Sequence, residues 1–305
     1  MVSIKNIKKR FLTTDALKGI TLSIEPGEFY GLLGPNGAGK STLLNILCGY
    51  LKADTGSASV DRVSLETDPL QARRKIGFVP QEIALYGELG AADNLRVFGK
   101  LYGIGGAALT ERVNTLLNMM GLYERRRDAV NTFSGGMKRR LNIAASLLHN
   151  PPLLLCDEPT VGIDPQSRNA IFDFLESLHK KGTTIIYTTH YMEEAERLCS
   201  RIGIIDHGTL VADGTMAELL TLAPQAPSVR ITLPVSAASD PLLGQFGTLT
   251  AENDCTILTA SSADLRLSKL LANLEERRIT YSDVRYDRPT LESLFLHLTG
   301  ARLRE

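Results

Sequence analysis

The stretch Gly34-Pro35-Asn36-Gly37-Ala38-Gly39-Lys40-Ser41 matches the pattern G-x-x-x-x-G-K-[ST] at every fixed position. The compact apolar run Glu28–Leu33 precedes it, and the helical-looking TLLNILCGYL, opening at Thr42, follows it. Strand, glycine-rich loop and helix make one half of a β-α-β unit. Glycines let the backbone curl until successive N–H groups point into one anion-sized hollow. The helix that follows adds the positive end of its dipole. In that geometry Lys40 reaches the outer phosphates of a nucleotide, Ser41 offers its hydroxyl to Mg²⁺, and Thr42 bonds a further phosphate oxygen.

Outward from the loop, Leu153-Leu154-Leu155-Cys156-Asp157-Glu158 is an apolar strand ending in two carboxylates. Burying such an end is costly unless both charges find partners. A Mg²⁺ held by Asp157 supplies one, and Glu158 then stands where it can orient an attacking water. Further apolar runs of strand length lie at Lys75–Val79, Thr184–Thr188 and Arg201–Asp206, with helical patterns between them. That alternation predicts an α/β core with a largely parallel sheet. Before it, Val2, Ile4, Ile7 and then Leu17, Ile20, Leu22 and Ile24 suggest short N-terminal strands ending at the Pro26-Gly27 turn. Between Asn94 and Asn150 helical periodicity takes over, as in Val113, Leu116, Leu117 and Met120, and predicts an inserted helical subdomain.

A shift of composition at residues 222–227 marks a linker. Beyond it come strand candidates at Val229–Leu233, Thr256–Ala260 and Ile279–Arg285. Leu267, Leu270, Leu271 and Leu274 repeat at helical spacing, with Ser261 and Asp264 spaced as a capping box. A last helix carries Leu291, Leu294, Phe295 and Leu298. The expected organisation is a main domain over 1–222 and a small α+β domain over 223–305.

With these elements in place the chain resembles the ATP-binding subunits of the ABC superfamily. Phe133-Ser134-Gly135-Gly136-Met137 is similar to the family's LSGGQ signature, and it enters the helical KRRLNIAASLL. The resemblance implies that Ser134, Gly135 and Gly136 cap the γ-phosphate of an ATP held by a second nucleotide-binding subunit. Residue by residue, Gln81 resembles the Q-loop glutamine that touches Mg²⁺ and water. Asp164 resembles the D-loop aspartate, and His190 the H-loop histidine that contacts the γ-phosphate. Phe11 is placed to stack on adenine. By the same resemblance Lys40, Gln81, Glu158 and His190 carry catalysis, and Ser41, Gln81 and Asp157 hold Mg²⁺. Two departures from the pattern stand out: Met137 stands where the family usually has Gln, and Val161 and Ile163 vary the D-loop. The tail segment Asp287-Arg288-Pro289-Thr290-Leu291-Glu292-Ser293-Leu294-Phe295 is similar to the C-terminal extension of daunorubicin-resistance-type exporters.

The expected function is therefore ATP hydrolysis driving export through a separate transmembrane permease, from the cytoplasmic face of the plasma membrane. Lys+Arg and Asp+Glu number 34 each, so the chain lacks the basic footprint of a nucleic-acid binder. That balance, with one P-loop, one signature and no long coiled coil, disfavours a soluble ABC ATPase acting on ribosomes or DNA. A non-catalytic regulatory subunit is disfavoured because Lys40, Glu158 and His190 are all present. The four cysteines are scattered without metal-ligand spacing and suit small buried side chains. The N-terminal VSIKNIKKRF lacks the apolar core of a secretory signal. No apolar stretch reaches the roughly 18–20 residues that span a bilayer, so a membrane role requires another chain to cross it.

Overall fold

The computed structural model describes residues 1–223, 228–238, 241–252, 255–261 and 267–300. The chain separates into two compact units, Met1–Met216 and Ala217–Ala301.

The first unit opens with β1 (Val2–Phe11) and β2 (Thr14–Ile24), which pair antiparallel. Both are full-length strands rather than short ones. Their buried residues change parity, Val2 and Ile4 giving way to Ile7, because the register shifts where Asn6 adopts φ 51°. A bulge of this kind adds a residue and returns the next side chain to the same face. With β4 (Thr55–Val60) and β5 (Val63–Ser64) these strands form a sheet ordered β2-β1-β4-β5. Only Ala58 and Val60 of β4 are buried, so its small, polar sequence TGSASV carried no strand signal.

The central sheet joins β3 (Phe29–Leu33), β6 (Ile76–Val79), β7 (Leu153–Asp157), β8 (Thr184–Thr189), β9 (Arg201–Asp206) and β10 (Thr209–Gly214) in the order β10-β9-β3-β8-β7-β6. All pairs are parallel except β9 with β10. Every residue of β3, β7 and β8 is buried, as expected of strands covered on both faces. Alternate residues feed two cores. Leu153, Leu155, Tyr30, Leu32 and Ile186 pack with the N-terminal sheet and with α1 (Lys40–Leu47). Leu154, Cys156, Phe29, Ile185 and Tyr187 pack toward the helices on the other side.

Those helices include α3 (Ala91–Leu101), α4 (Gly106–Met119), α5 (Gly135–Ser146) and α6 (Pro165–Lys180), while α2 (Pro69–Arg74) and α7 (Met192–Leu198) complete the unit. Residues 91–146 contain no strand, and the helical insertion begins slightly earlier than Asn94. The helix after the P-loop is shorter than the sequence suggests: α1 ends at Leu47, and Gly49 at φ 73° turns the chain away.

Register fixes the site. Leu33 pairs with Thr189, Asp157 with Thr188, and Val79 with Cys156, so the carboxyl ends of β3, β8, β7 and β6 lie side by side. In open parallel sheets ligands bind at such an edge.

The second unit begins with α8 (Met216–Thr221), whose first residue belongs to the unit before it, and holds β11 (Ser228–Pro234), β12 (Thr248–Glu252), β13 (Cys255–Ser261), α9 (Leu267–Glu276), β14 (Asp283–Asp287) and α10 (Leu291–Thr299). Its antiparallel sheet runs β12-β13-β11-β14 over a core of Val229, Ile231, Leu233, Leu258, Leu270 and Leu274. The last strand starts at Asp283, not Ile279. Arg278 at φ 53° turns the chain after α9, and the Ile279 N–H bonds the Leu274 carbonyl at 2.9 Å to close the helix end. Thr290 and Ser293 form a capping box that starts α10. Residues 224–227 of the expected linker and Asp264 of the expected capping box lie outside the described residues. Among the described residues no helix is long and apolar enough to cross a membrane.

Candidate functional site

A cavity of about 600 Å³ opens at the shared strand ends. It is lined by Asn36, Gly37, Gly39, Lys40, Ser41 and Thr42 of the glycine-rich loop, by Gln81 and Glu158, and by Thr13–Ala16, Lys18 and His207. The loop begins at Gly34, directly after β3, passes through Pro35 and Ala38, and delivers the chain into α1. Gly39 takes φ 110°, and a Cβ there would stand 2.6 Å from the Ala16 carbonyl oxygen. No side chain caps α1, so its first N–H groups are offered to an anion.

Lys40 is buried, with two partners inside the loop and one beyond it. It donates to the Gly34 and Pro35 carbonyls at 2.7 and 3.1 Å and pairs with Glu158 Oε1 at 3.0 Å. The other Glu158 oxygen lies 3.2 Å from His190 Nδ1, without the alignment of a hydrogen bond. Glu158 sits at φ 43°, a costly setting for a side chain with a Cβ. Its N–H is held at 3.0 Å by the Thr188 hydroxyl. The same Thr188 hydroxyl donates to Asp157 Oδ1 at 2.7 Å, and Ser41 donates to that oxygen at 3.1 Å. Burial pushes the Asp157 carboxyl above its usual range, and the Thr188 and Ser41 hydroxyls pull it partly back.

Asp157 and Ser41 thus present two oxygen ligands at one point. Among the described residues no group of three or more His, Cys, Asp and Glu converges on a metal site. That donor set fits Mg²⁺, which is commonly held by one or two protein oxygens together with phosphate and water. The cavity volume is in the range of small-molecule sites.

The signature residues are elsewhere. Ser134 caps α5, accepting from the Met137 N–H at 3.3 Å, and none of Ser134, Gly135 and Gly136 lines the cavity of its own chain. Gly136 packs so tightly on α6 that a Cβ would come within 2.2 Å of Ser167 Oγ. Asp164 caps α6 through the Ser167 N–H at 2.9 Å, and that bond holds its carboxyl below the usual range. Met137 cannot donate as Gln would; its sulfur instead accepts from the Arg125 guanidinium at 3.5 Å. Phe11 does not line the cavity. It is 42% exposed, with Lys9 Nζ 5.5 Å from its ring centre, and the residues after it in the hairpin form the wall.

Besides the hairpin residues Thr13–Ala16 and Lys18, three contributors were not legible in the motifs. His207 lines the cavity from the β9–β10 turn. Arg139, one turn into α5, donates to the Pro80 and Gln81 carbonyls at 2.7 and 2.5 Å and so holds the backbone of the Gln81 loop. Thr188 lies within an apolar strand run, and its hydroxyl beside an acidic strand end is the one signal the sequence offers for it.

Comparison with known proteins agrees with this geometry. The ABC transporter family model matches residues 17–161. Over the whole of both chains the protein is 43% identical to the linearmycin resistance ATP-binding protein of Bacillus subtilis (strain 168). It is 37% identical to a daunorubicin resistance ATP-binding protein of Streptomyces coeruleorubidus, with 98% of this chain and 96% of the relative aligned. A dimeric ATP-binding cassette solved in a post-hydrolysis state with ADP and Pi superposes with a TM-score of 0.65 and 32% identity, covering 70% of this chain and 98% of that one. A P-loop beside two strand-end carboxylates, on a chain related along its length to such proteins, makes this an ATP-hydrolysing member of the ABC transporter family, of the drug-resistance ATP-binding type.

Proposed function

We propose that this chain is the motor subunit of an exporter: residues 1–222 hydrolyse Mg-ATP as one half of a nucleotide-binding dimer, and the cycle drives a separate transmembrane permease. The observation that carries the reading is the placement of Glu158 between Lys40 and His190 at the cavity, with the Ser134-Gly135-Gly136 turn outside it. An isolated chain in this arrangement lacks a cap for the γ-phosphate, and a second copy or a paralogue supplies one.

Binding a triphosphate gives Lys40 a stronger anionic partner than Glu158. Glu158 is then released to hold the attacking water, with His190 beside the γ-phosphate. Ser41 and Asp157, with Gln81, would hold Mg²⁺, which would neutralise phosphate charge. Closure and reopening of the dimer transmit work to the permease, which docks near Gln81 and the loop 82–94. Export is the direction favoured by the resistance proteins to which the chain is related, and the site of action is the cytoplasmic face of the plasma membrane. Residues 223–305 act as an accessory domain.

The test is to tag the chain in its native host, solubilise membranes in mild detergent and identify what co-purifies. A multi-span membrane protein at near-equal stoichiometry is the expected result. Ribosomes or nucleic acid in place of a membrane partner would overturn the exporter reading and leave the ATPase intact.

A further inference from the structure

Beside the Lys40–Glu158–His190 cluster lies a second buried acid that no step above uses. Glu194, on α7, is 3% exposed. Its Oε1 accepts from Thr160 at 2.7 Å, and its Oε2 accepts from Tyr187 at 3.0 Å and Thr189 at 2.7 Å. Thr160 lies two residues after Glu158, and Thr189 immediately precedes His190. Thr189 also accepts the Tyr191 N–H at 2.9 Å, so the backbone is fixed on both sides of the histidine.

A carboxylate sets the direction of the bonds it accepts. An ionised carboxylate only accepts, and each hydroxyl has one proton to give. The Thr160 and Tyr187 hydroxyls also lie 3.0 Å from each other, so one of the two shares its proton between its neighbour and the carboxylate, while Thr189 donates to Glu194 and turns its lone pairs to the Tyr191 N–H. Burial, with the Glu194 charge second, pushes the Tyr187 phenol well above its usual range and keeps it a donor. An apolar residue on α7 would pack here without the cost of burying a charge. A carboxylate with three hydroxyl partners is suited to holding two loops in fixed register.

We propose that Glu194 is a positioning residue for ATP hydrolysis: its carboxylate ties the turn after Glu158, through Thr160, to the strand end that carries His190, through Thr189. This rests on the reading of Glu158 and His190 given above. Glu158, strained at φ 43° and anchored on the same strand by Thr188, and His190 then keep their mutual distance only while both arms are in place. Near-attack geometry is sensitive to displacements of about 1 Å, so loosening the tie slows the chemical step more than it weakens ATP binding.

The experiment is a double-mutant cycle on the full chain. Glu194→Gln is isosteric but sets an amide N–H₂ against hydroxyl donors, and Thr160→Val removes one arm alone. Single-turnover phosphate release, affinity for a fluorescent ATP analogue and melting temperature are measured in the wild-type and His190→Ala backgrounds. Glu194→Gln is expected to lower the rate about tenfold or more, with ATP affinity within about twofold. In the His190→Ala background the same change should cost less than about twofold, because residues acting as one unit are not additive. Thr160→Val should follow the same pattern with a smaller factor. An equal factor in both backgrounds, an unchanged rate, or a loss of ATP affinity matching the loss of rate overturns the proposal alone. Wild-type turnover in His190→Ala itself overturns the assignment of His190, and the proposal with it.

Discussion

Glu158 and Glu194 are both acids less than a tenth exposed, yet their surroundings give them different work. Glu158 faces an ammonium and an imidazole at the rim of a cavity, while Glu194 faces three hydroxyls away from it. On the readings proposed above, the first exchanges partners and the second holds them still. His149 shows the same control by environment at a structural position. Its ring stacks on Tyr102 with centroids 3.8 Å apart, and Nε2 lies 3.0 Å from the Ile76 carbonyl oxygen. That oxygen only accepts, so Nε2 carries the proton of the neutral ring, and Nδ1 is buried without a partner. Burial holds the His149 pKa below its usual value. Below an unfolded pKa of about 6.5 the unfolded chain takes up a proton that the folded one resists. The stability His149 contributes is thus complete above that pH and is lost as pH falls toward the folded pKa. Melting curves between pH 5 and 7 should show a shallower pH slope in His149→Leu than in the wild type. Identical slopes would contradict the assignment.

At the scale of elements, α5 joins two parts of the site. Its first turn presents the Ser134 cap, and one turn later Arg139, 4% exposed, holds the Pro80 and Gln81 carbonyls. Arg139→Met keeps much of the packing but removes two charge-assisted bonds. The expected outcome is a stability loss of roughly 1–3 kcal/mol in urea unfolding and a raised KM for Mg-ATP. An unchanged KM would separate Arg139 from the Gln81 loop. The catalytic strand ends were legible because β3, β7 and β8 are buried on both faces and therefore read as unbroken apolar runs ending in chemistry. β4 and β12 were not legible, since TGSASV and TLTAE bury too little apolar surface to alternate. The bulge at Asn6 hid the strict period of β1, and the turn at Arg278 displaced the start of β14. Motif matching located Lys40, Ser41, Gln81 and Glu158 on one cavity and tied Asp157 and His190 to it. It did not reach Thr188, Arg139, His207 or Glu194, whose roles depend on side chains meeting across distant stretches of chain.

At the scale of the whole molecule, the signature turn stands apart from the cavity of its own chain, and on the function proposed above catalysis is then a property of a pair. On the function proposed above, Glu158 activates water while Lys40 binds phosphate, and the full-length Glu158→Gln variant separates the two roles. Removing the carboxylate frees Lys40 for the nucleotide without abolishing the loop. Phosphate release and size-exclusion behaviour with Mg-ATP are measured together. Turnover should fall by about 10²–10⁴-fold while ATP still binds and a stable ATP-bound dimer accumulates. Turnover at the wild-type rate, or a chain that stays monomeric with ATP bound, would contradict the account.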